Sequence, residues 1–260
     1  MKTSIAAAAA LLLNAVAMPA SAAHGNGQGE AQASAPAPGV DPDAQCAMFM
    51  RNIIVQMLMM GRLPEAQRVY FERYGVLFHY FSGRFSIGHD PAASVPLLTS
   101  TVQGLSHEVQ PRMDCYHGGD GTMQEVQAQI DRAAAAPRPQ GGGAAPAAPA
   151  DATGEDARCI AAVQRLINDR ARLGGREEMR NYNRVIWTVD YHAGRMVGRG
   201  GQAGIESAVT AAFAALPADQ AAADAAGFGC VADFARTSDV FDRAIADADR
   251  AAEAAGPAGK

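Results

Sequence analysis

The stretch YFSGRF, Tyr80 to Phe85, returns at an offset of 111 as YHAGRM, Tyr191 to Met196, each time about midway between two cysteines. Working outward from these phrases, other positions fall into the same register. Upstream, Cys46, Met50, Ile53, Ile54, Met60 and Gly61 stand opposite Cys159, Val163, Leu166, Ile167, Leu173 and Gly174 at an offset of 113. From Phe71 the offset is 111, which sets Phe71, Tyr74 and Phe78 against Tyr182, Val185 and Val189. The register slips by four at Cys115 and Cys230, and IDRA at Ile130 and FDRA at Phe241 restore 111. A series of this length predicts a tandem duplication.

The apolar period inside each copy is helical. Cys46, Phe49, Met50, Ile53, Ile54 and Met57 step by three and four, behind Asp41 as N-cap and Pro42 in the first turn. A second helix is expected from about Pro64 to Ile87, with Gly88 as its C-cap. Seven of the 16 aromatic residues lie between Tyr70 and Phe85, so this helix should be buried on most sides. A third helix is expected over Pro96 to Val109, matched later by Ile205, Ala208, Val209, Phe213 and Leu216. A fourth should start at Thr122, where Thr-Met-Gln-Glu125 fits a capping box. No useful stretch alternates like a strand, so each copy reads as a four-helix bundle.

The ends and the middle differ in character. A single Lys2, an apolar run from Ile5 to Ala17 and the small residues Ala20-Ser21-Ala22 predict a signal peptide over 1–22, cleaved near Ala22. That run is too short for a membrane span, which takes about 20 residues, and no later segment reaches that length. The text of 23–43 and 133–155 is small, polar and rich in Ala, Pro and Gly, as in flexible linkers. The expected organisation is therefore all-α: a helical module over 44–132 and a second over 156–254, followed by a tail at 255–260. Cleavage would leave the mature protein periplasmic or secreted.

Each expected module is small enough to benefit from a covalent staple. Cys46, Cys115, Cys159 and Cys230 are even in number and form no CxxC, which favours a disulfide framework over a redox site. Three pairings are possible. Pairing within each module would close a loop of about 70 residues, a size that stabilises by about 4 kcal/mol at most.

The formal charge of -5 argues against nucleic acid as a partner. Nine arginines between Arg158 and Arg199 face four acids, whereas Glu206 to Glu253 holds nine acids and three arginines. This split is expected to draw the two parts of the second module together. GxSxG, P-loop and dinucleotide motifs are absent from the sequence. The HEVQP at His107 has Pro111 where a zincin would place its second histidine. No nucleophile, base and orienting group can be assembled, so no catalytic residue, cofactor or metal is assigned.

Two features are candidates for binding. Arg84 and Arg195, in the repeated Gly-Arg, could present an anion clamp once per module, or could cap their helix ends beside the close-packing Gly83 and Gly194. Met48, Met50, Met57, Met59 and Met60 on the first helix could offer thioethers to Cu(I) or an adaptable apolar groove. Met50, Met57 and Met60 also share the core stripe with Ile53 and Ile54, and their counterparts Val163, Arg170 and Leu173 carry no thioether.

The Cys46, Tyr80-Phe81-Ser82-Gly83-Arg84, Cys115 pattern, with Cys159, Tyr191-His192-Ala193-Gly194-Arg195 and Cys230, resembles a group of small exported helical proteins of alphaproteobacterial type. That resemblance implies Cys-bracketed helical modules and supplies no activity. In size, export and stapled helices the chain is also similar to acid-stress periplasmic chaperones. The expected function is a non-enzymatic binding or chaperone-like module acting on a protein or small-molecule partner. The alternative is a small-ligand or copper-binding role for the methionine helix.

Overall fold

The computed structural model describes residues 40–61, 64–104, 109–136 and 152–255. The expected signal peptide and nearly all of 23–43, most of 133–155 and the tail beyond 255 lie outside these residues, as does His107. The described residues are helical, with no strand among them.

Asp41 caps helix α1 (Pro42–Met59) as the sequence predicts, accepting from Ala44 N at 2.9 Å, with Pro42 at the position where a missing N–H costs nothing. Helix α2 (Glu65–Phe85) carries the first repeated phrase and ends at Ser86 in a right-handed turn, so Gly88 is not the cap. Helix α3 (Val95–Gly104) follows a short 3-10 turn. Helix α4 (Val109–Ala135) corrects the expected start at Thr122: it begins at Val109, well before that point, and takes in Cys115. Thr122 caps nothing; its hydroxyl donates back to Gly118 O at 2.9 Å. Gly118, Gly119 and Gly121 lower the intrinsic helix propensity of this turn. Packing reverses that at Gly119, where a Cβ would come within 2.8 Å of Phe81 Cζ and 3.0 Å of Leu77 Cδ2.

The second half repeats the order. Helix α5 (Ala152–Asn168) leads into two single turns, α6 (Arg170–Leu173) and α7 (Glu177–Arg180). Helix α8 (Tyr182–Gly198) carries the second phrase. Helices α9 (Ile205–Ala215) and α10 (Gln220–Ala255) complete it. The disulfides are Cys46–Cys115, joining α1 to α4, and Cys159–Cys230, joining α5 to α10, with Cα separations of 5.4 and 5.5 Å.

The two halves do not stand apart as bundles on a tether. One continuous apolar core takes Met48, Met50, Leu77, Phe85, Leu98 and Ile130 from the first half and Ile160, Leu166, Val185, Met196, Val209 and Ile245 from the second. Helix α2 lies along α8, α3 lies on α10, and α4 lies on α9, so each half supplies its third helix to the fourth helix of the other. Arg51–Asp249 and Arg132–Glu206 ion pairs of 3.0 and 2.8 Å tie the halves at the surface.

The repeated glycines make the α2–α8 contact possible. A Cβ on Gly83 would fall well inside the radius of the Tyr191 carbonyl oxygen, and one on Gly194 would do the same to Tyr80. Gly75 faces Trp187 and Gly198 faces Arg84 and Ile87, so partners advance together and the helices run parallel. The phrase repeated at Tyr80 and Tyr191 is thus where the two helices cross, each glycine seating the tyrosine carbonyl of the other helix.

Candidate functional site

Immediately after the crossing, both arginines turn to the first helix of their own half. Arg84 Nε lies 2.8 Å from Asp43 Oδ1, and Arg195 Nε lies 2.9 Å from Asp156 Oδ1. Asp43 and Asp156 are themselves counterparts at the offset of 113, each standing three places before the first cysteine of its half. Each guanidinium also stands 5.8 Å from the ring of the tyrosine four positions back, Tyr80 or Tyr191. The two candidate binding arginines therefore already hold an internal anion. They lock the end of the crossing helix onto the start of the stapled one.

The second copy of this pair is more elaborate. Asp156, 2 % exposed, also accepts from His192 Nδ1 at 2.7 Å and from Arg199. Burial alone would raise the Asp156 carboxyl. The hydrogen bond from His192 and the charges of His192, Arg195 and Arg199 more than offset it and hold the group below its ordinary value. In the first half, burial outweighs Arg84 and Asp43 is raised. His192 Nε2 is buried and has no partner.

A second pair of titratable groups sits deeper, one turn before the crossing. His79 and Asp190 are counterparts at offset 111, and both are buried. His79 packs between Trp187 and Phe234, with centroids 4.7 and 5.1 Å away. Desolvation lowers it to about 3, helped by the charge of Arg184, so the ring is neutral. Desolvation raises Asp190 to about 8 against the pull of Arg73, and its Oδ2 has no partner. Buried in this way, the pair bears on stability.

The methionine helix divides by face. Met48, Met50 and Met57 are in the core, whereas Leu58, Met59 and Met60 are exposed by 59 %, 78 % and 49 %. Met60 is thus not part of the buried stripe to which its spacing assigned it. Val55 on α1, and Val69 and Tyr70 near the start of α2, are exposed as well. The corresponding positions of α1 in the second half are Asn168 for Val55, Ala171 for Leu58 and Arg172 for Met59. There the chain folds into α6 and α7, which bury Leu173 and Met179, and Arg172 is held by Asp224 at 2.8 Å.

The partners Asp43, Asp156 and His192 did not stand out from the sequence as site residues. The usable signal was the recurrence of an aspartate three positions before the first cysteine of each half. Compared with protein-family models, curated proteins and solved structures, the chain matches none.

Proposed function

We propose that this is an exported, non-enzymatic binding protein that docks apolar segments of partner proteins on the tip of the α1–α2 hairpin, in the manner of a chaperone. The observation that carries this reading is the exposed group of Val55, Leu58, Met59, Met60, Val69 and Tyr70. Clustered apolar exposure on a folded surface marks interaction sites, and methionine adapts to varied partners. The two disulfides suit an oxidising compartment, and no described helix is long and apolar enough to cross a membrane. Export through the 1–22 signal peptide and descent from a duplicated module complete the proposal. Because the second tip is polar, the docking surface is single, and avidity from two equal copies is not part of the mechanism.

The test is suppression of aggregation of a heat-denatured client enzyme, followed by light scattering from pH 3 to 7. The intact protein is expected to delay scattering, and a Leu58→Asp/Met59→Asp variant to lose most of that effect. Both side chains are exposed, so the variant should retain its helical signal and melting temperature. No suppression at any pH, or equal suppression by the variant, overturns the reading.

A further inference from the structure

We infer that the second half holds a separate ligand site, a cavity beside the Asp156 cluster that takes a small carboxylate with an apolar body. The cavity measures about 490 Å³, a size within the ~300–1,000 Å³ range of small-molecule pockets. Its floor is the Cys159–Cys230 disulfide with Ala162, and its apolar walls are Ala212, Ala215, Leu216 and Phe234. At its polar end stand His192 and Arg195, with Arg158 exposed at the rim.

The comparison between halves shows what opened this space. Ala162 occupies the position of Phe49 at offset 113, and His192 occupies the position of Phe81 at offset 111. Phe49 and Phe81 are both buried, 2 % and 6 % exposed, and Phe81 fills the notch over Gly119. Two phenyl rings of the first half are thus replaced by a methyl group and an imidazole in the second. Phe234, which stands where the first half has Gly119, does not refill the gap. Its ring packs on His79 and Tyr191, with centroids 5.1 and 5.4 Å away, and forms a wall. Losing core rings without compensation costs stability, so a cavity framed by a disulfide and a buried ionic cluster is a built feature of this half.

Charge selects the ligand class. Asp156 is met there by Arg195 and Arg199, so its own charge is compensated within the cluster. Arg158, exposed at the rim, is the cation that a bound carboxylate would meet. Of the other acids on the lining, Glu155 is exposed and Asp233 is engaged by Arg236. The ring of His192 completes the polar end beside Arg195. A carboxylate at this end, with an alkyl or aryl body against the alanines and Leu216, satisfies both ends of the cavity.

Isothermal titration of the full protein with octanoate, and with octan-1-ol as the uncharged control, tests the assignment. Octanoate is expected to bind at one site per chain and octanol about tenfold or more weakly, the usual worth of one charged hydrogen bond. Ala162→Phe, which restores the ring of the first half, should abolish octanoate binding. Arg158→Gln alters only an exposed side chain, so it keeps the test decisive if the Phe variant fails to fold; it should weaken octanoate about tenfold and leave octanol unchanged. Leu58→Asp/Met59→Asp at the hairpin tip should leave octanoate binding intact, which separates this site from the docking surface. The inference falls if octanoate does not bind, if octanol binds equally well, or if a folded Ala162→Phe protein or the Arg158→Gln protein binds octanoate as the parent does.

Discussion

Replacing Asp190 by Asn should stabilise the protein at neutral pH, by an amount that changes with pH in a way the structure specifies. An unfolded aspartate titrates near 3.8, whereas burial holds Asp190 protonated up to about 8. Between those values folding must take up a proton, and each pH unit costs about 1.4 kcal/mol. The stability that Asp190 contributes is therefore fully present below pH 3.8 and lost as pH rises to 8. At pH 7 the ceiling on that loss is about 4 kcal/mol, a large share of the ~5–15 kcal/mol typical of a domain. Asn has nearly the same shape and no charge to suppress. The difference between variant and parent should be small at pH 4, grow steadily, and level off above pH 8.

His79 works with the opposite sign. Its ordinary value of 6.5 is lowered to about 3 by burial, so its contribution is present above pH 6.5 and lost as pH falls toward 3. Between 3.8 and 6.5 Asp190 takes up a proton on folding and His79 releases one, and the two slopes cancel. The pair leaves stability level across the mildly acidic range, with losses from 6.5 to 8 and again below 3.8. Urea unfolding of parent, Asp190→Asn and His79→Phe, with disulfides intact and pH stepped from 4 to 9, resolves both slopes. An Asp190→Asn difference equal at pH 5 and pH 8, or a variant less stable than the parent at pH 8, refutes the reasoning.

Other perturbations follow from the crossing, the cluster and the staples. Gly83→Ala or Gly194→Ala should destabilise by about 2 kcal/mol net, because overpacking against a carbonyl outweighs the helix-propensity gain of about 1 kcal/mol. Gly229→Ala on α10, with nothing within 4 Å of the new methyl, should instead stabilise by up to about 1 kcal/mol; thermal melts separate the two. Asp156→Asn should cost about 3 kcal/mol at pH 7 by taking the carboxylate away from Arg195. Because the Asp156 value is lowered, that stabilisation is present above pH 3.8 and lost as pH falls below it. Parent and variant unfolding curves should therefore converge in acid. Cys46→Ser/Cys115→Ser should lose at most about 4 kcal/mol, measured against the parent by urea unfolding.

Most of the helices and the Asp41 cap were legible because each depends on neighbours in the chain, whereas Gly88 and Thr122 do not cap. The stripe from Cys46 to Met57, the Asp41 cap and the aromatic run of α2 are local signals, and apart from the exposed Tyr70 they stand where the spacing puts them. The charge split of the second half was legible too: Arg172 and Arg184, from its basic part, pair with Asp224 and Asp239 on α10. What failed was long-range. A Gly-rich turn before Thr122 looks like a breaker until Phe81 and Leu77 need its bare backbone. The repeated Gly-Arg showed that something must approach closely, but a sequence repeat does not say whether a copy packs on itself or on its twin.

That ambiguity resolves once the halves are compared position by position. The features they hold in common are those of assembly: the cysteine pairs, the crossing glycines, and the Asp43–Arg84 and Asp156–Arg195 locks. Where they part, they part in opposite senses. The first half keeps Phe49 and Phe81 in its core and exposes Leu58 and Met59 at its tip. The second half buries its tip under α6 and α7 and empties the space of those two rings. A frame that needs both halves can hold its shape through the shared contacts while each half changes only what the frame does not use. The docking tip and the cavity are the two places where such freedom was taken. If each is functional, filling one with Ala162→Phe and charging the other with Leu58→Asp should act independently in binding.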